Sequence, residues 1–421
     1  MYQKTVLDNG LRVITATMPH IHSASICIFI GVGSRYESKQ KAGISHFIEH
    51  MMFRGTEKRP TAREISEAIE GLGGTLNAGT DKEMTVYWCK VTQSHFLKAL
   101  DALADMLLHS KFDFQDVEKE RQVIMEEISM YHDSPQQTVS LLIDELLWPA
   151  HPLGRDTAGS KHSITNITPN DMLSYIQAHY LPTDTVVSVA ANIGHQEVVT
   201  AVSQVMGSWS RRKRRPGYAA YREQPVERLR IETRDIEQAH LCLALPGLSL
   251  FHPKRFTLDL LNVILGEGMS SRLFSEIRDR LGLAYSISSS VEHFLDSGSI
   301  TVYAGVEPKN LPAAIRAILE QLGRLKETIS ESELTKAKEL STGQLLLRME
   351  NSRSVAGWIG SQEILKGHIL SVDQVLSIVS AITADDIRQL AEELMLDNQL
   401  RLAVVGPASS YYEPLEELLK L

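Results

Sequence analysis

The chain has 421 residues, of which 43% are hydrophobic and 23% are charged, and its formal net charge is −9. This composition is ordinary for a globular protein, and the length predicts two domains of about 200 residues each. The negative charge disfavours a nucleic-acid partner, and no apolar run is long enough to span a membrane.

The cysteines and the N-terminal residues predict a cytoplasmic location. Cys27, Cys89 and Cys242 have neither disulfide nor zinc-ribbon spacing, which is typical of small buried side chains in a reducing compartment. Residues 1–10 lack the apolar segment of a signal peptide and are too acidic for a transit peptide.

The first predicted elements are a hairpin and a buried strand. The residues Asp8-Asn9-Gly10 lie between β-prone segments, which indicates a hairpin with a tight turn. Residues 25–32 form a nearly continuous apolar run bounded by glycines, and such a run is typical of a buried strand.

A predicted helix at residues 43–53 contains the pattern H-x-x-E-H. At about 100° per residue, His46, Glu49 and His50 lie on one side of this helix. The opposite side carries an apolar stripe that suits a core, formed by Ile44, Phe47, Ile48 and Met51. Two imidazoles and a carboxylate therefore lie together where a second apolar stripe or a solvated face would be expected.

This pattern has the chemistry of a metal site. Histidines at i and i+4 are one helical turn apart, so their ring nitrogens can bind one metal ion. A catalytic zinc needs three protein ligands and an open position, and Glu49 is better placed to take a proton from the attacking water than to be the third ligand. H-x-x-E-H is the inverted zincin signature, and the alternative is an ordinary helix with exposed histidines.

Next along the chain, Thr61 and Glu64 form a capping box that opens a helix. The small and polar residues 75–80 follow, and residues 84–88 are a predicted strand. Segment 75–80 is either a plain loop or a sheet edge that can pair with an extended peptide. The residues alone favour the loop.

A long predicted helix at residues 114–131 contains the candidates for the missing carboxylate ligand. Glu120 and Glu127 are seven residues apart and lie on one face beside apolar neighbours. Glu126 points in another direction and is the rival candidate. The alternative is that all of them are ordinary surface glutamates.

Residues 210–217 contain a run of five cations followed by Pro-Gly. Such a run suggests nuclear targeting or nucleic-acid binding, but its position between two globular halves favours a solvated linker. The predicted organisation is a metal-binding domain at 1–209, a basic linker at 210–227 and a second domain at 228–421.

The two halves show signs of an internal duplication. Matching positions lie 215 or 216 residues apart and include Cys27 and Cys242, Ile167 and Ile382, and Thr85 and Thr301. An offset of 215 places residues 261–265, Leu-Asn-Val-Ile-Leu, opposite the H-x-x-E-H pattern, and an offset of about 217 places Glu120 near Ala337 and Glu127 near Gln344. The second half is therefore predicted to have the same fold without a metal.

With these residues identified, the chain resembles peptidases of the M16 family, which includes pitrilysin, insulin-degrading enzyme and the mitochondrial processing peptidases. The resemblance covers essentially the whole chain and rests on H-x-x-E-H and on a later helix with a glutamate ligand. It selects Glu127 over Glu126, because the family's ligand follows a Val-Ile pair after two residues. It also makes Glu120 a residue that orients the ligands.

The resemblance also implies substrate-binding residues. Arg278 and Tyr285, which flank a Leu-Gly, match a family pair that approaches the substrate from the metal-free half. Asn77 and Ala78 match the family's edge strand, which pairs with the substrate backbone. This match reverses the loop interpretation of residues 75–80.

The fold implied by the resemblance is α+β, with two homologous domains that each contain a mostly antiparallel sheet with helices packed on it. The implied function is zinc-dependent endopeptidase cleavage of unfolded peptides in a chamber between domains and subunits, with one Zn²⁺ per chain. A homodimer is expected, with a heterodimer with an inactive homologue as the alternative, and no nucleic-acid or membrane partner. The alternative functions are a non-catalytic scaffold or assembly subunit and a metal-dependent hydrolase of non-peptide substrates.

Overall fold

The computed structural model describes residues 2–210, 217–222, 227–407 and 412–421, and the predicted cationic run of the linker lies outside them. The chain forms two compact units, each built around one sheet. The first unit contains Met1–Ile128, Asp156–Ala219 and Leu346–Ser371, and the second contains Ser129–Arg155, Ala220–Leu345 and Val372–Leu421.

The sheet of the first unit has the strand order β1-β2-β6-β3-β5-β4, and all its neighbours are antiparallel except β2 and β6. The central strands β3 and β6 are buried along nearly their whole length because helices cover both faces, and their sequences are accordingly almost continuously apolar. The strands are β1 Tyr2–Val6, β2 Arg12–Thr17, β3 Ser23–Ile30, β4 Thr75–Thr80, β5 Thr85–Thr92 and β6 Thr185–Ala191.

The sheet of the second unit repeats this arrangement with the order β7-β11-β8-β10-β9. Its parallel pair, β7 and β11, corresponds to β2 and β6. The strands are β7 Leu229–Thr233, β8 Ala239–Pro246, β9 Ala284–His293, β10 Gly298–Val306 and β11 Arg401–Gly406. The predicted α+β fold with two homologous, mostly antiparallel sheets is confirmed.

Most helices pack on one face of each sheet, and the predicted hairpin, buried strand and capping box of Thr61 and Glu64 are all present. None of the described helices combines the length and the apolar character needed to cross a bilayer. The helices are α1 Ile44–Met51, α2 Ala62–Glu70, α3 Phe96–His109, α4 Phe114–Asp133, α5 Pro135–Leu147, α6 Lys161–Thr165, α7 Pro169–His179, α8 His195–Met206, α9 Arg255–Gly266, α10 Leu311–Arg324, α11 Glu331–Arg348, α12 Ser352–Lys366, α13 Val372–Ala381, α14 Ala384–Leu394 and α15 Tyr412–Glu417.

Two helices are exchanged between the sequence halves. Helix α12, from the second half, packs on β3 and β6 of the first sheet, where the Ser188 hydroxyl donates to the Ala356 carbonyl at 2.7 Å. Gly360 is required at this contact, because a Cβ there would lie 2.2 Å from the Phe29 ring. Its counterpart α5, from the first half, packs on β8 and β11 of the second sheet. The compact units therefore differ at these two helices from the predicted domains 1–209 and 228–421.

The start of α1 is held by backbone geometry and by a buried carboxylate. Gly43 has φ of 88°, and a Cβ there would lie 2.4 Å from the Ala158 carbonyl oxygen, so only glycine fits. The Glu37 carboxylate accepts from the backbone N–H groups of Gly43 and Ser45 at 2.7 and 2.8 Å. These bonds satisfy donors in the first turn and fix where the helix begins.

Candidate metal centre

Helix α1 has the apolar face and the polar face that its sequence predicts. Ile44, Phe47, Ile48 and Met51 are at most 1% exposed and belong to the core of the first unit. On the other side, His46, Glu49 and His50 are only partly buried. The apolar stripe anchors the helix, and the three polar side chains are thereby held at the surface of the core rather than in bulk solvent.

The structure brings His46, His50 and Glu127 together. The two Nε2 atoms of the histidines are 3.1 Å apart, and Glu127 Oε2 lies 3.8 Å from His46 Nε2 and 3.6 Å from His50 Nε2. Within the described parts of the chain, this is the one group of histidine, cysteine and acidic side chains whose atoms converge closely enough to hold a metal ion. The rival Glu126 is exposed and is not part of it.

These three side chains fit a zinc ion. Two ligands of a tetrahedral zinc at about 2.0–2.1 Å are about 3.3 Å apart, close to the separations observed here. Burial, together with the neighbouring His50, lowers the pKa of His46 to about 4, and burial also lowers the pKa of His50. Both imidazoles are therefore neutral at physiological pH, as ligation requires, and three protein ligands leave one zinc position open.

Glu120 fixes the orientation of one histidine. Its Oε1 accepts from His50 Nδ1 at 2.9 Å, which leaves the Nε2 lone pair of His50 directed toward His46 and Glu127. Glu120 is 3% exposed, and its second oxygen forms an ion pair with Arg54, which follows α1. Each oxygen of the buried Glu120 carboxylate therefore lies beside a nitrogen of His50 or Arg54.

Replacing Glu120 by Gln is expected to weaken zinc binding by about 10–100-fold. The amide removes the charge that supports the His50 Nδ1–H tautomer and leaves Arg54 without its anionic partner. Zinc affinity is measured by competition with a chromophoric chelator, and Glu126→Gln, on the same helix but exposed, is the matched control. Unchanged zinc affinity in Glu120→Gln would show that Glu120 does not orient a ligand.

Glu49 lies beside the three potential ligands but is held by another element. Its Oε2 accepts from the Thr80 hydroxyl at 2.5 Å, and Thr80 is the last residue of β4. Burial raises the pKa of Glu49, and the hydrogen bond from Thr80 opposes this shift. A carboxylate in such a site has the raised basicity that suits proton transfer.

The strand β4 corrects the interpretation made from the residues alone. Residues 75–80 are not a loop but an edge strand, paired only with β5 among the described strands. Asn77 is exposed on this strand and Ala78 is half-buried, so both are placed at an open sheet edge. Their predicted role in binding substrate stays a prediction.

Arg278 and Tyr285 lie close to each other in the second unit. The Arg278 guanidinium carbon is 5.8 Å from the centre of the Tyr285 ring, and the tyrosine is 76% exposed. Arg278 belongs to a π-helical segment, Phe274–Arg280, which ends just before the Leu-Gly noted in the sequence. The structure joins these two residues as a cation–π pair, and their contact with substrate stays a prediction.

The second unit has apolar residues at the positions that the duplication aligns with the polar cluster. Leu261, Ile264 and Leu265 of α9, which correspond to His46, Glu49 and His50, are each at most 5% exposed and belong to its hydrophobic core. A helix at this position therefore folds on apolar packing alone. The polar residues of α1 are not needed for the fold.

Sequence reasoning missed two residues of the site, Thr80 and Arg54. Thr80 is 31 residues from Glu49 and reaches it only because β4 packs beside α1. Arg54 is four residues after His50 but faces Glu120, which is on a different helix. Neither residue belongs to a spacing pattern, so no signal in the sequence singled them out.

Comparison with known proteins shows similarity over the full chain. A model described as Insulinase (Peptidase family M16) matches residues 12–161, and one described as Peptidase M16 inactive domain matches residues 166–341. The uncharacterized zinc protease YmxG of Bacillus subtilis is 36% identical over 97% of this chain and 99% of its own length. An uncharacterized zinc protease of Mycobacterium leprae is 37% identical over 97% of this chain and 92% of its own length.

A solved structure of a protease from Helicobacter pylori shares the fold, with a TM-score of 0.92 and 24% identity over 97% of this chain and 99% of that one. The match described as inactive begins in the first half and contains α9, whose residues at the counterpart positions are apolar. The other match, at residues 12–161, contains the histidine and glutamate cluster.

Proposed function

The chain belongs to peptidase family M16, and on that premise we propose that it is a zinc-dependent endopeptidase that hydrolyses unfolded peptides. The observation that carries the proposal is the convergence of His46, His50 and Glu127 on one point beside the carboxylate of Glu49. Related proteins of nearly the same length are named zinc proteases, which supports both the metal and the reaction class.

In the proposed mechanism His46, His50 and Glu127 hold one zinc ion per chain. When bound, zinc supplies Lewis-acid chemistry that polarises a carbonyl and lowers the pKa of water to about 7. Glu49 takes a proton from the water that attacks the scissile carbonyl and then passes it to the leaving amine nitrogen. Glu120 keeps His50 in the tautomer that ligation requires.

The open edge of β4 is the proposed docking site for the peptide backbone. The backbone N–H of Ala78 donates to the side chain of Asn77 at 2.7 Å, so this donor is not used by β5. A peptide in extended conformation can take the place of that side chain and add a strand to the sheet. Recognition through main-chain groups suits unfolded peptides, because a folded substrate has its main chain already paired.

Two further parts of the proposal follow from the family resemblance. Arg278 and Tyr285 contact the substrate, with the tyrosine hydroxyl available to stabilise a developing oxyanion. A homodimer encloses the substrate in a chamber. Light scattering on the purified chain tests the dimer, and a monomeric mass at micromolar concentration would remove the chamber from the proposal.

The decisive experiment is cleavage of a fluorogenic peptide library before chelation, after chelation and after zinc is restored. We expect cleavage to stop on chelation and to return with about one zinc per chain, because the open zinc position is required for reaction. Metal analysis is run on the same samples. Bound metal without cleavage of any peptide would support the alternative, a non-catalytic scaffold or assembly subunit of the same fold.

A further inference from the structure

Thr80 connects the edge strand to the proposed general base. Its hydroxyl oxygen lies 2.5 Å from Glu49 Oε2, a short contact between two partly buried side chains. Beyond this contact, no hydrogen bond links the Glu49 carboxylate to another side chain in the described residues. Because Glu49 is on α1 and Thr80 is on β4, the contact joins two elements that are separate in the sequence.

The direction of this hydrogen bond distinguishes the two oxygens of Glu49. A threonine hydroxyl has one proton, and donating it to Oε2 holds the carboxylate in one orientation. Oε1, which accepts no side-chain hydrogen bond in the described residues, is the oxygen assigned to accept a proton from water. A carboxylate fixed in this way needs no reorientation at the moment of proton transfer, and fixed geometry is a large part of catalytic efficiency.

The same strand carries the proposed docking edge. In an antiparallel pair, alternate residues turn their backbone N–H and C=O groups toward the same side of the strand. Ala78 turns its N–H away from β5, since it donates to the Asn77 side chain, and Thr80 is the next residue of this alternate set. The backbone of Thr80 also interacts with Glu49. One strand therefore presents its edge at Ala78 and holds the carboxylate of Glu49 at Thr80.

We propose that Thr80 is a positioning residue, which holds Oε2 of Glu49 so that Oε1 accepts the proton and which couples docking of a peptide on β4 to the alignment of this base. The inference rests on the proposed peptidase function and adds a residue to it. Thr80 does not contact the reacting atoms; it acts through Glu49.

The test compares Thr80→Val, Thr80→Ser and Thr92→Val on one peptide substrate. Valine has the shape of threonine without the hydroxyl, so kcat should fall by about 10–100-fold while KM and zinc content stay near wild type. Serine keeps the donor and should restore most of kcat. Thr92→Val, an exposed substitution at the end of the neighbouring strand β5, should behave as the wild type.

The outcomes separate this inference from the function on which it rests. A wild-type kcat in Thr80→Val, in a wild type that shows zinc-dependent cleavage, would overturn the positioning role alone. A wild type without zinc-dependent cleavage would overturn the peptidase function and the role of Thr80 with it. Equal losses in the serine and valine variants, or loss of zinc from Thr80→Val, would show that Thr80 only supports the fold.

Discussion

Replacing Glu49 by Gln is expected to abolish peptide cleavage while zinc stays bound. The amide has nearly the same shape as the carboxylate and its oxygen can still accept from the Thr80 hydroxyl. It cannot take a proton from water, and loss of a general base costs about 10²–10⁴-fold in rate. Because Glu49 is outside the group of three potential ligands, its replacement leaves that group intact.

The measurement is kcat/KM on a fluorogenic peptide together with metal analysis of the same preparation. Glu70→Gln is the matched control, since Glu70 is an exposed residue of α2 in the same unit. Cleavage by Glu49→Gln at the wild-type rate would show that the assigned base is wrong. Loss of zinc from this variant would instead place Glu49 among the ligands.

Replacing Glu127 by Ala is expected to remove both zinc and activity. Its carboxylate is the third member of a set in which the other two are neutral imidazoles, so the substitution removes the only negative charge among the ligands. Loss of a direct ligand should exceed the roughly 10–100-fold loss of affinity that follows removal of an orienting partner. We therefore expect zinc to be lost during purification.

The neighbouring Glu126 provides the control for this experiment. It has the same chemistry and lies on the same helix, but it is exposed and points away from the histidines. Glu126→Ala should keep wild-type zinc content, peptide cleavage and thermal midpoint. If Glu126→Ala lost zinc and Glu127→Ala kept it, the third ligand would have been assigned to the wrong residue.

Several features of the fold were predictable because they depend on residues close together in sequence. Helix α1 showed its apolar face through a period of 3.6 residues, and its four apolar residues are buried as that period predicts. The capping box of Thr61 and Glu64 marked the start of α2 correctly. The strand β4 was not predicted from its residues alone, because its small and polar side chains form a strand only through pairing with β5.

The internal duplication could also be predicted, because equal offsets between pairs of similar sequence positions can be found without knowing the fold. Helices Phe96–His109 and Leu311–Arg324 are 215 residues apart at both ends, and the five strands of the second sheet follow the order of the first sheet from β2 to β4. The exchange of helices α5 and α12 between the two sequence halves could not be predicted from the sequence. Two amphipathic helices of similar length can each cover either sheet, and the sequence pattern of a helix does not specify its partner.

The sequence by itself determined two histidines and a carboxylate on one helical face, a second half without them, and the elements that surround them. Only the tertiary structure decided which glutamate of α4 faces the histidines and that Thr80 holds Glu49. The physical reason is separation along the sequence. Helical periodicity relates residues a few positions apart, whereas the contact between His50 and Glu120 joins residues 70 apart. Such contacts exist only once the packed core has positioned both elements.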